Sequence, residues 1–291
     1  MKFSALEGLT RVAALGSLAS LAACGSTRAP SNGSGSSTPS GTSSTVTVPL
    51  SHAPTGTVNL SWSSSTHKIT AHVAMSDFTP GSSHALHIHQ GSCSSQGPVA
   101  VDFPDVTANA VGAINESVTA AVPSPAGIPT AHSYFNIHLG NSSQISSALG
   151  FTPLGCANIL AGSSTASDML TVSAPPQSGL HPSGSAKVTY SRSAKMLSVT
   201  VRATGLPPNT SHAAHVHLGS CASQGSIKYD LKDIVVGSTG SGVSKTVFHN
   251  VTSPLPKTGW YVNVHFGSSK QIVANGSPTI YFQPVLCGSA S

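Results

Sequence analysis

The segment Ser83 to Val99, SHALHIHQGSCSSQGPV, returns at Ser211 to Ile227 as SHAAHVHLGSCASQGSI, with eleven of 17 positions identical at an offset of 128. A second pair, Tyr134 to Ile145 (YFNIHLGNSSQI) and Tyr261 to Ile272 (YVNVHFGSSKQI), matches at seven of 12 positions at an offset of 127. Asp102 pairs with Asp230, and Cys156 loosely with Cys287. A period this long repeats a whole domain, whereas solenoid units run to about 20–50 residues. The chain is therefore read as domain 46–168, linker 169–179 and domain 180–291.

Each domain reads as short β-prone runs with turn residues between them. Val58–Trp62, Ile69–Ala74, Ala85–His89, Ala113–Val118 and Tyr134–Leu139 form the first series. Val188–Tyr190, Leu197–Ala203, Ala213–Leu218, Lys245–His249 and Tyr261–Phe266 form the second. Twenty-eight Gly and 20 Pro argue against a helix bundle. Charged residues make up 7% of the chain, against about 25% in an average domain. No apolar run reaches the roughly 18 residues of a spanning helix, which excludes a polytopic membrane protein. The predicted fold class is all-β, with two tandem Greek-key β-sandwich or barrel domains.

The first 23 residues have the charge and short apolar run of a secretory signal. They end in Leu21-Ala22-Ala23-Cys24-Gly25, which resembles the bacterial lipobox, so Cys24 is the expected lipidation site. Residues 24–45 are dominated by Ser, Gly, Thr and Pro and read as a flexible tether reaching about 25 Å. The expected product is an exported lipoprotein, anchored to the membrane through Cys24. It would lie outside the cytoplasmic membrane, in the periplasm or at the outer membrane. Removing Cys24 leaves Cys93, Cys156, Cys221 and Cys287, an even set that reads as disulfides in an exported chain. Each domain owns two, so the repeat selects Cys93–Cys156 and Cys221–Cys287. Reduction is expected to loosen the loop behind the histidine strand and weaken metal binding.

Alternate residues of a strand share a face. His87 and His89 therefore point one way and Leu86 and Ile88 the other; His215 and His217 repeat the pattern against Ala214, Val216 and Leu218. On the later strand Tyr134, Asn136 and His138 share a face, as do Tyr261, Asn263 and His265. Each domain thus offers a His-x-His pair and a distant third His, a set suited to Cu, Zn, Fe or Ni. A solvated polar face inherited by both copies is the competing reading.

His84-Ala-Leu-His87-Ile-His89 and His212-Ala-Ala-His215-Val-His217 resemble the H-G-F-H-[IV]-H signature of copper/zinc superoxide dismutases. The turns Phe78-Thr-Pro-Gly and Leu206-Pro-Pro-Asn, the Asp102 and Asp230 segments, and the closing Gly155-Cys156 and Leu286-Cys287 are similar to that family's motifs as well. The Y-[FV]-N-[IV]-H strand and the G-S-C-x-S-Q-G turn look more like the related chordin-type (CHRD) domains. The resemblance implies a superoxide dismutase-like sandwich in each domain. It implies copper ligands at His87, His89, His138, His215, His217 and His265, and buried supporting histidines at His84 and His212.

Two departures limit the resemblance. The loop from Cys93 to Asp102 is too short for the family's zinc loop and bridging His, so a copper-only type is expected and zinc is not. The family's catalytic Arg falls on Pro153 and Pro284, and no catalytic residue beyond the metal ligands is assigned. Domain one has one cation against five anions, and domain two nine cations against two anions. Domain two is therefore the better attractor of superoxide, or of anionic envelope polymers. The expected function is copper binding, with superoxide disproportionated to O2 and peroxide if the site turns over. The alternatives are copper storage without turnover and a metal-free CHRD-like interaction module. Nothing in the sequence suggests a peptidase, a glycosidase or a nucleic-acid binder. His52 and His181, at similar places in the two copies, are candidate fourth ligands. His67, His72, His132 and His249 read as surface or local hydrogen-bonding residues.

Overall fold

The computed structural model describes residues 43–122, 127–129, 132–159, 169–173 and 181–291. The expected signal segment, Cys24 and all but the last three residues of the tether lie outside them. The regular structure of the described residues is almost wholly strand, as the patterning predicts.

Sixteen strands of five or more residues carry the described fold. The first nine are β1 (Ser43–His52), β2 (Thr55–Ser63), β3 (Lys68–Ser76), β4 (Leu86–Ser92), β5 (Ser95–Asp102), β6 (Ile114–Ala121), β7 (Ser133–His138), β8 (Pro153–Ile159) and β9 (Met169–Ser173). The remaining seven are β10 (Ser183–Ser191), β11 (Met196–Thr204), β12 (Ala214–Ser220), β13 (Ser223–Asp230), β14 (Gly242–Phe248), β15 (Trp260–His265) and β16 (Pro284–Ser289). In β3 the burial alternates strictly, with Ile69, Ala71, Val73 and Met75 inside. β11 does the same with Leu197, Val199, Val201 and Ala203. This period of two is what a half-buried strand requires.

In the second half the strands form one curled sheet in the order β13-β12-β15-β16-β1-β10-β11-β14. In the first half the corresponding order is split between two sheets, β5-β4-β7-β8 and β9-β2-β3-β6. β1 does not join the first half, where the boundary at 46 would put it. It pairs antiparallel with β10 from Ser43↔Ser191 to Leu50↔Gly184, then with β16 at Ser51↔Cys287 and His52↔Leu286. The place β1 takes beside β10 is taken in the first half by β9 beside β2. β9 lies in the segment read as a linker.

Each half has its own apolar core. Val58, Leu60, Phe78, Leu86, Ile88, Phe135 and Ile137 are among the buried residues of the first. Val48, Leu50, Val199, Val216, Trp260, Val262 and Leu286 are among those of the second. Phe266 packs against both cores. Polar groups tie the seam. The Gln283 amide donates to the Asp77 carbonyl at 3.1 Å and accepts from the Thr79 N–H at 3.1 Å. The Gln224 amide donates to the Phe78 carbonyl at 2.8 Å.

Asp77 is the strained residue of this seam. Its φ is +73°, and the matching position in the second half is Gly205 at +70°, a conformation costly for most side chains. Its carboxyl is buried, and Oδ1 has no hydrogen-bond partner. Burial raises its pKa to about 6, with the Thr55 hydroxyl opposing. A raised carboxyl pKa contributes stability below the unfolded value near 4, and that contribution is lost as pH rises through 6. Asp77→Asn is therefore expected to stabilise the protein at pH 8 by about 2–3 kcal/mol and to do nothing at pH 3.5. Urea melts at the two pH values measure this.

Candidate metal centre

The two histidine sets come together as strand geometry predicts. β4 lies between β5 and β7, with His87 opposite Asn136 and His89 opposite Tyr134. β12 and β15 repeat this, with His215 opposite Asn263 and His217 opposite Tyr261. Leu86 and Ile88 fill the core on the other face of β4, and Ala214 and Val216 do so on β12. Leu218, expected on that apolar side, is 41% exposed because it lies past the core end of β12. The register of β4 against β5 shifts on both sides of His89, and that of β12 against β13 on both sides of His217. Such irregularities re-aim a side chain next to a site.

In each set one nitrogen of every imidazole is occupied and the other is turned inward. His89 Nδ1 donates to the Gly97 carbonyl at 3.0 Å, His138 Nδ1 to the Phe151 carbonyl at 2.8 Å, and His87 Nε2 to Asp102 Oδ1 at 3.2 Å. In the second half His217 Nδ1 donates to Gly225 O, His265 Nδ1 to Phe282 O, and His215 Nε2 faces Asp230 Oδ1 at 3.5 Å. His87 Nδ1, His89 Nε2 and His138 Nε2 are turned toward one another, as the donor atoms of a shared ion would be. So are His215 Nδ1, His217 Nε2 and His265 Nε2. The closest pairs are His87 Nδ1 to His138 Nε2 at 3.0 Å and His215 Nδ1 to His265 Nε2 at 2.8 Å. Within each set the three donor atoms lie within 4.8 Å of one another. Imidazole–metal bonds of about 2 Å place neighbouring donors about 3 Å apart, so the sets fit one ion each. His89 Nε2 and His217 Nε2 are buried with no partner in the protein, a costly state unless something else binds there.

The residues that hold the imidazoles were mostly not legible as such. Gly97 and Gly225 let the hairpin carbonyls approach: a Cβ at Gly97 would meet Gln90 O at 2.2 Å, and one at Gly225 would meet Leu218 O at 2.4 Å. Phe151 and Phe282 lay their rings over His138 and His265, with centroids 4.6 and 4.4 Å apart. Tyr134 and Tyr261 stack on His89 and His217. The histidine face is thus not a solvated polar surface. His84 and His212 are buried and donate from Nδ1 to the carbonyls of His138 and His265 at 2.9 Å. Both disulfides have the expected partners, Cys93–Cys156 and Cys221–Cys287. They fasten each hairpin to the strand beside β7 or β15, and they point to an oxidising compartment. No described helix is long and apolar enough to cross a membrane.

His52 and His181 do not enter either set. His52 lies beside Ala53, Pro182 and His212 in a cavity at the seam. Pro153 and Pro284 are the register partners of His138 and His265, so no cation stands at those two positions. Asp102 and Asp230 are 74% and 82% exposed and touch the distal nitrogens of His87 and His215. They do not join the donor sets. The second set reaches an open cleft of about 410 Å³ through His217. Gln224, Ile227 and Phe282 line it, and the first half adds Pro80 and Ala110.

Burial keeps these imidazoles neutral. It lowers the pKa of His138 and His215 to about 4, that of His265 well below the ordinary range, and those of His87, His89 and His217 in the same direction. Protons compete with a metal only where the ligand titrates. Metal affinity is therefore expected to stay flat from pH 8 to pH 6 and to fall only below about 5. Chelator competition across that range measures it. A steady decline beginning at 6.5 would mean ordinary, solvated ligands.

Comparison with known proteins bears on the second half. Residues 163–271 match the CHRD domain family. That span contains His212, His215, His217 and His265. None of the curated proteins matches the chain.

Proposed function

We propose that the chain is an exported, lipid-tethered copper protein with two three-histidine centres of superoxide dismutase-like type. The observation that carries the reading is the convergence of three neutral imidazoles in each half, each with one ring nitrogen turned inward and the other set against an oxygen. His87, His89 and His138 would hold one ion, and His215, His217 and His265 the other. Copper there would supply one-electron redox chemistry. The all-imidazole donor set suits copper and zinc alike, and the choice of copper rests on the family resemblance of the His-x-His strands. The protein's own part is to keep the imidazoles neutral and aimed, and at the second centre to leave an entrance through the cleft at His217.

Pro153 and Pro284 favour a second reading, copper held without turnover, because no cation at those positions would dock superoxide. The CHRD match favours a third, a metal-free interaction module. Copper stoichiometry, an EPR spectrum and a superoxide assay on one sample separate the three. Two type-2 coppers with nitrogen hyperfine structure and dismutation support the full reading. Two coppers without dismutation leave storage or delivery. No tightly bound copper or zinc overturns the metal assignment in favour of the interaction module, and zinc in preference to copper overturns the choice of metal.

A further inference from the structure

The outer face of β10, β11 and β14 carries cations that the matching face of the first half lacks. Lys187 on β10, Arg202 on β11 and Lys245 on β14 are exposed, and their chain neighbours Ala186, Val188, Val201, Ala203, Ser244 and Thr246 are buried. The register puts Lys187 opposite Thr200 and Thr200 opposite Lys245, in one row across three strands. Lys187 and Lys245 are thus about 10 Å apart, and Arg202 sits about 7 Å along β11 from Thr200. Thr189, Ser198 and Thr204 share this outward face. Arg192 and Lys195 stand in the exposed turn at its end.

In the first half the same row is Asn59, His72 and Ser117, and Ala74 stands where Arg202 does. The turn residues there are Ser64 and His67 in place of Arg192 and Lys195. The second half therefore carries five Lys or Arg at positions where the first has none, and the first half's face has one, Lys68, where the second has Met196. The sheet does not need them, since the first half forms the same ladder without them. Ion pairs among the described residues are His87–Asp102 and His215–Asp230. Lys187, Arg202 and Lys245 are in neither.

We propose that this face binds an anionic polysaccharide, a chain whose repeated carboxylate or phosphate groups meet the cations while its hydroxyls meet the Ser and Thr side chains. Charge complementarity selects an anion. No aromatic residue stands in the row to stack on a nucleobase, and the exposed apolar side chains on this face, Val243 opposite Arg202 and Val247 opposite Ser198, are short and too few to anchor it in a bilayer. The proposal is independent of the metal centres.

The test uses the full protein and the triple variant Lys187→Asn, Arg202→Ala, Lys245→Ser, which writes the first half's residues into the second half's face. Binding to polygalacturonate is measured by affinity electrophoresis at low and high salt, with neutral dextran, duplex DNA and phosphatidylglycerol vesicles as competitors. The expected result is salt-sensitive retention that falls at least tenfold in the triple variant. A second variant with Lys228, Lys257 and Lys270 changed to Ser, of equal net charge, is expected to bind within twofold of the parent. Equal weakening by both variants would reduce the effect to net charge and overturn the site. So would undiminished binding by the first variant, no retention at low salt, or tighter binding of DNA or vesicles than of polygalacturonate through the same three residues.

Discussion

His217→Leu is expected to raise the stability of the metal-free protein and to halve its metal content. His217 is 3% exposed, and its Nε2 has no partner. A buried nitrogen without a hydrogen bond costs about 1–3 kcal/mol. Leucine removes that cost at similar volume. The bond it loses, from Nδ1 to Gly225 O, ends on an exposed residue whose carbonyl can turn to water. The metal-free melting point should rise by the equivalent of about 1 kcal/mol. With metal present the sign reverses. A centre saturated at a hundred times its dissociation constant adds about 2.7 kcal/mol to the native state, and loss of a ligand should weaken binding by no less than the roughly 10–100-fold that loss of a ligand's outer partner costs. Calorimetric melts with and without copper, together with metal analysis, read both effects. An unchanged two ions per chain would remove His217 from the ligand set.

Deleting Ser43 to His52 is expected to unfold the second half and spare the first. β1 sits inside the second sheet, between β10 and β16. Its Val48 and Leu50 are 2% and 3% exposed in the second core. Removing those two side chains forfeits about 3–6 kcal/mol of burial. It also opens two strand edges over an apolar interior. Domains are stable by about 5–15 kcal/mol in all, so the loss is comparable to the whole. The two tryptophans report the outcome separately, because Trp62 lies on β2 and Trp260 is fully buried in the second core. In the deletion, Trp260 emission should shift to that of a solvated indole, and Trp62 emission should not move. A folded environment at Trp260 would show that β10 and β16 can close without β1.

The contrast between β1 and β4 explains what could be read in advance. His87, Ile88 and His89 announce their facing through a period of two, which is local, and β7 answers with the same period. The cysteine pairs followed from ownership within each half. What covers the histidine face is not local. Phe151 and Phe282 arrive from a turn and a short 3-10 helix, 13 and 17 residues beyond the histidines they hold, and no periodicity marks a backbone carbonyl as an acceptor. Asp102 and Asp230 were visible as a repeated pair, but their bond to a distal ring nitrogen depends on how β5 and β13 register. The placement of β1 was hidden for the same reason. The sequence reading places no strand over 43–52, and nothing in ten residues says which of two similar sheets will accept them.

The pairing of Ser51 with Cys287 also sets an order of events. A chain made from its N-terminus has β1 in hand from the start, yet both neighbours of β1 lie beyond residue 182. Until β10 and β16 exist, Val48 and Leu50 have no core to enter. The second sheet must close a loop of more than two hundred residues, and contacts so distant in sequence slow folding. Among the described strands the first to be synthesised must wait for β10 and then for β16, and until β10 is made it is an unpaired apolar edge exposed to any other strand it meets.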